Sequence, residues 1–276
     1  MNRKGIKLLS AVLSLALAAL LFCALVPCFH GLTAFQTAQV KRLFKTDPFH
    51  DEESEQTVSV PVAAAVGTNG YERNTFVGSR IQMECNPDYV ELNLAVDDSG
   101  ALVLADSYFD VGEKSVSANR VVSSLLKSTR RTSLLVNLAE YTDLNAVSAL
   151  ITGSSRFADA VVRGVDENSI EYARRYFPSH TLLCEYSLRS RLSLSEIKAR
   201  GADGVYCSAS LLSAHFVKKV HDAGLLLWVD CGGSACRTVK ALSMAQQLDG
   251  LVTAKPKLAM NLQYTWNYEE FKALNS

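Results

Sequence analysis

The spacing of apolar and polar residues changes several times along the chain. Residues Leu8 to Phe29 form one uncharged apolar run, long enough to cross a hydrocarbon core as a helix at about 1.5 Å per residue. A polar, acidic stretch follows, Lys45-TDPFHDEESEQ-Thr57, without an apolar period. Beyond it, short β-rich runs alternate with stretches whose apolar positions recur at helical spacing. The β-rich runs are Val60–Val66, Tyr89–Val96, Ser133–Leu138, Ala160–Arg163, Thr181–Tyr186, Gly204–Cys207, Leu225–Asp230 and Gly250–Thr253. Helical patterns occupy Ser117–Ser128, Asn168–Tyr176, Leu194–Arg200, Leu211–Ala223 and Cys236–Gln247. This alternation predicts an α/β fold, a TIM (β/α)8 barrel preceded by one N-terminal transmembrane helix. An open doubly wound sheet fits less well, because no glycine-rich phosphate loop follows the first strand.

The pattern divides the chain into an anchor over residues 1–30, a polar linker over 31–58 and a barrel over 59–276. Arg3, Lys4 and Lys7 precede the apolar run, which favours a cytoplasmic N-terminus and an extracytoplasmic domain on a single-pass anchor. The basic residues Lys41, Arg42 and Lys45 follow it and pull the other way. Near the end of the run, Leu32-Thr33-Ala34 puts a bulky residue where signal peptidase requires a small one, so the segment reads as an uncleaved anchor.

Composition narrows the function classes. Among 276 residues 48% are hydrophobic and 20% charged, with formal net charge zero. A core can therefore form, and nothing in the charge implies a nucleic-acid partner. The seven cysteines form no CxxC pair and have no histidine at zinc spacing, so they read as small buried hydrophobes.

One strand carries chemistry. In Tyr89-Val-Glu-Leu-Asn-Leu-Ala-Val96, Val90, Leu92, Leu94 and Val96 share one face, and Tyr89, Glu91, Asn93 and Ala95 share the other. In a barrel the second face points inward, and a carboxylate beside an amide there needs partners. Asp97-Asp-Ser-Gly100 makes a turn, and Ala101–Leu104 returns as a second strand ending near Asp106.

This stretch, Tyr89 to Asp110, resembles the second-strand region of the glycerophosphodiester phosphodiesterases, with its E-x-D, turn and H-D. Upstream, Ala64-AVGTNGYERN-Thr75 is similar to that family's H-R-G segment. Downstream, Ala223-GLLLWV-Asp230 and Asp249-GLVTAK-Pro256 resemble its seventh and terminal strand motifs. The resemblance implies a barrel over residues 60 to 256. It also implies a site in which two glutamates and an aspartate hold a divalent metal while two histidines move protons.

Carried over by position, most of that chemistry is absent. Ala65-Val66-Gly67 stands in the H-R-G slot, Glu91-Leu92-Asn93 in E-x-D and Ala105-Asp106 in H-D. Ala139 aligns with the later glutamate, with Glu140 one residue away, and Ala254 replaces a terminal aspartate. The histidines His180, His215 and His221 read as surface residues, and His30 and His50 precede the barrel. Glu91 and Asn93 are then a remnant metal pair, and Asp106, Trp228 and Glu140 candidate binding residues. The expectation is a membrane-anchored, catalytically inactive domain without cofactor, which binds a partner protein or a phospholipid-derived ligand. The alternative is an active hydrolase using Mg²⁺ or Ca²⁺ on Glu91, Asn93, Asp106 and Glu140.

Overall fold

The structure is a computed structural model that describes residues 34–46, 50–51, 56–57, 59–128, 131–139 and 142–264. The expected anchor and Glu140 lie outside these residues. Among the described residues no helix is long and apolar enough to cross a membrane. The chain divides into two compact units, residues 48–263 and the two terminal segments.

The larger unit is a closed eight-stranded parallel barrel. Its strands are β1 (Val62–Ala64), β2 (Tyr89–Val96), β3 (Ser133–Leu138), β4 (Val161–Val165), β5 (Thr181–Tyr186), β6 (Gly204–Ser208), β7 (Leu226–Gly232) and β8 (Gly250–Thr253). Each pairs in parallel with the next, and β8 pairs with β1 to close the ring. A helix follows each strand: α1 (Phe76–Glu84), α2 (Ala118–Lys127), α3 (Leu144–Thr152), α4 (Ile170–Tyr176), α5 (Leu194–Ala199), α6 (Ala214–Asp222), α7 (Ala235–Leu242) and α8 (Pro256–Tyr264). The hairpin after β2 is present, with Leu102–Leu104 antiparallel to it. Helices α1, α3 and α8 were not apparent from the apolar spacing. The expected helix over Leu211–Ala223 is instead a 3₁₀ turn, Ala209–Leu211, followed by α6, which Ser213 caps by accepting from the Phe216 N–H.

The linker over 31–58 is not structureless. Residues Ala34–Thr46 form a helix, and His50–Asp51 pairs antiparallel with Gln56–Thr57. Val40 and Leu43, three apart and both buried, give that helix an apolar stripe.

The barrel interior is filled by Ala63, Leu135, Val161, Leu183, Tyr206, Trp228 and Val252, as the alternation along each strand requires. Gly250 makes room for the largest of these, since a Cβ there would stand 2.2 Å from a Trp228 ring carbon. At the N-terminal end of the barrel one device recurs. Asp88, Asp203 and Asp249, each just before a strand, accept the N–H of Val62, Leu182 and Leu227 in the neighbouring strand. These aspartates clasp β1 to β2, β5 to β6 and β7 to β8. Among the described residues the cysteines form no disulfide, and burial pushes the thiols of Cys184, Cys207 and Cys231 up to about 12.

Candidate functional site

The C-terminal ends of the strands, where barrel enzymes place their chemistry, form a polar mouth over the apolar interior. Strand β2 sends Glu91 and Asn93 inward, 4% and 3% exposed. Register sets Asn93 beside Asn137 of β3, and Asn137 beside Arg163 of β4. Gly164 follows at φ +83, at a register shift in β4. A Cβ there would sit 2.6 Å from the Asn137 Oδ1, so only glycine lets β4 approach this closely.

Glu91 is fully engaged. Its Oε1 accepts from both the Nε (2.8 Å) and Nη2 of Arg163, and its Oε2 accepts the Val66 N–H at 2.8 Å. The remaining terminal nitrogen of Arg163 donates to Glu185 at 2.9 Å, and its guanidinium lies 4.2 Å over the Tyr206 ring. Burial works against the charge on Arg163. The facing Glu91 first, with Tyr206 and Glu185, outweighs it and holds the guanidinium above its ordinary proton affinity. Burial pushes the Glu185 carboxyl up, against the pull of Arg163.

A second network borders the first. Asn93 donates to Asp106 and accepts from the Asn137 side chain at 2.9 Å. Asp106 holds Arg73 through two bonds of 3.0 and 2.9 Å. The bond from Arg73 is the chief reason the Asp106 carboxyl lies below its usual range. Gln82 of α1 ties β1 to β2 by donating to the Ala64 and Glu91 carbonyls.

The donor set does not suit a divalent metal. Such an ion needs several free hard oxygens, yet both Glu91 oxygens and the Asn93 Oδ1 are already bonded to protein donors. Among the described residues no group of three or more His, Cys, Asp or Glu is placed to hold a metal.

The structure brings Glu91, Asn93 and Asp106 to the mouth. Trp228 does not line it. It is 3% exposed and packs edge-on against Tyr89 at 5.3 Å, because its position on β7 falls in the apolar layer beneath the mouth. The residue of β3 that reaches the site is Asn137, not Ala139, which follows the end of the strand. Ala65, Val66 and Ala105 are buried and carry no polar side chain. Sequence reasoning missed Arg163, Glu185, Asn137 and Arg73. The available signal was position: the first three fall at inward sites near the ends of their strands. The cavity at the mouth, about 420 Å³, is lined by residues including Ala65, Tyr71, Arg73, Glu91, Arg163, Tyr206 and Asp230.

A closed parallel barrel with a polar mouth over an apolar interior defines a TIM-type α/β barrel. Its shape is similar to that of several solved phosphodiesterases. A glycerophosphodiester phosphodiesterase from Parabacteroides distasonis is 14% identical, covers 75% of this chain and 98% of its own, and gives a TM-score of 0.62. An Oleispira antarctica phosphodiesterase in complex with the product sn-glycerol-3-phosphate is 11% identical, covers 75% and 98%, and gives 0.64. A glycerophosphodiester phosphodiesterase from Agrobacterium tumefaciens is 17% identical, covers 72% and 98%, and gives 0.55. No protein-family model matches the sequence, and neither does any curated protein. The fold is thus that of the glycerophosphodiester phosphodiesterases, as the motif order implied.

Proposed function

We propose that this chain is a membrane-tethered domain with the glycerophosphodiester phosphodiesterase fold that binds a ligand at the barrel mouth without hydrolysing it. The observation that carries the reading is the Arg163 guanidinium bonded to Glu91. A fixed organic cation takes up the carboxylate that, by resemblance, would hold the metal. A phosphodiester displacement needs a cation on the phosphate and a proton for the leaving oxygen. Arg163 and Arg73 are each held in ion pairs, and Ala65, Val66 and Ala105 have no proton to give. Each missing general acid or base removes about 10²–10⁴ in rate. The membrane tether rests on the uncharged run Leu8–Phe29.

The test is hydrolysis of glycerophosphocholine by the full-length chain with Mg²⁺, Ca²⁺ or Mn²⁺. No turnover above background is expected. Robust turnover abolished by Glu91→Ala would overturn the reading in favour of an active enzyme. Alkaline carbonate extraction tests the tether: the protein stays with the membrane, and its release into the soluble fraction would refute anchoring.

A further inference from the structure

The cavity at the barrel mouth is lined by both charged and apolar residues. Its two arginines face four carboxylates: Arg163 lies between Glu91 and Glu185, Arg73 is paired with Asp106, and Asp230 completes the set. Both guanidiniums are thus neutralised from within. Asp230 is not. Its Oδ1 accepts the Gly232 N–H at 2.7 Å, and its other oxygen has no partner among the described residues.

A second observation points into the same space. Tyr206 is 5% exposed and lines the cavity, and its hydroxyl has no hydrogen-bond partner among the described residues. Burial first, then the carboxylates of Glu91, Asp230 and Glu185 against the opposing Arg163, raise its proton affinity. The hydroxyl therefore sits neutral within the field of three carboxylates. The hydroxyl is thus open to the cavity, where a ligand can bond it. Ala65, Val66 and Ala254 also line the cavity, and their side chains offer only CH groups.

We propose that this cavity binds a small aliphatic primary amine, its ammonium between Asp230 and the Tyr206 hydroxyl and its methylenes against Ala65, Val66 and Ala254. This deepens the binding reading above and rests on it. A primary ammonium supplies three donors to oxygens that lack them. A phosphate would meet Glu91 and Asp230 as well as the two guanidiniums, each of which is already paired with a carboxylate.

Isothermal titration of the full-length chain with 1,4-diaminobutane tests the assignment, with tetramethylammonium and glycerol 3-phosphate as comparisons. Saturable binding of the diamine is expected, with tetramethylammonium weaker because it has no N–H. Asp230→Asn keeps an acceptor for Gly232 and should weaken the diamine by about tenfold or more, as for loss of a charged hydrogen bond. Tyr206→Phe keeps the ring under Arg163 and should weaken it by about threefold or more. If Asp230→Asn does not fold, Tyr206→Phe alone decides. Absence of diamine binding would overturn the assignment. So would tighter binding of glycerol 3-phosphate, or unchanged diamine affinity in a folded variant. Those results leave the hydrolysis assay untouched, so the two readings fail separately.

Discussion

Replacing Arg163 by methionine keeps most of the side-chain volume and removes the charge on which the mouth is organised. Glu91 would retain one bond, from the Val66 N–H, and would lose both bonds from the guanidinium. The Arg163 side chain is 14% exposed and that of Glu91 5%, so solvent replaces little of what is lost. Removing one partner of such a pair costs about 3–5 kcal/mol. The arm to Glu185 adds little, because that side chain is 41% exposed and water screens it. An unpaired buried carboxylate avoids its desolvation cost by taking up a proton, so the deficit should shrink as pH falls. Adding Glu91→Gln removes the orphaned charge and keeps an acceptor for Val66. The double variant should recover to within about 1–2 kcal/mol of the parent. Urea denaturation followed by circular dichroism at pH 7 measures all three, with equal slopes confirming a common unfolded state. A single variant within about 0.5 kcal/mol of the parent, or a double variant no better than the single, would refute the ion-pair account.

Other outcomes follow from the same geometry. Gly250→Ala drives a Cβ into the Trp228 ring and should destabilise the barrel by about 1–3 kcal/mol or more; an unchanged melting temperature would contradict the packing. Asp88→Ala strands the N–H of fully buried Val62 and should cost about 1–3 kcal/mol, again read by urea denaturation. His180 is buried with an unpartnered Nδ1, and burial, then Arg174, lowers its proton affinity in the folded state. The unfolded chain therefore binds the proton first as pH falls, and stability held above about pH 6.5 declines below it; His180→Gln should flatten that slope in melting curves. Installing Ala65→His, Val66→Arg, Asn93→Asp, Ala105→His and Ala139→Glu together should leave calorimetric Ca²⁺ binding undetectable while Arg163 stays. Adding Arg163→Met and Asn137→Glu is what should first produce it, since Asn137 contacts Asn93.

By itself the sequence determined the parts that depend on local periodicity. The strands Tyr89–Val96, Ser133–Leu138, Thr181–Tyr186 and Gly250–Thr253 occur where their runs of β-forming residues begin and end. The inward placement of Glu91 and Asn93 follows from alternation alone, because neighbouring side chains on a strand take opposite faces. The motif order likewise carried the barrel and its phosphodiesterase shape. Helices α1, α3 and α8 escaped because their apolar residues form no strong stripe, and what holds them is burial against the barrel. The aspartate before β2, β6 and β8 was written in the chain, yet its role as a clasp depends on which strands become neighbours. The site was decided by tertiary structure for the same reason. Arg163 stands 72 residues from Glu91, and no spacing rule connects them. Ring closure and parallel register bring β2, β3 and β4 side by side. Only then does a guanidinium meet the carboxylate and turn an apparent remnant of a metal site into an internal ion pair.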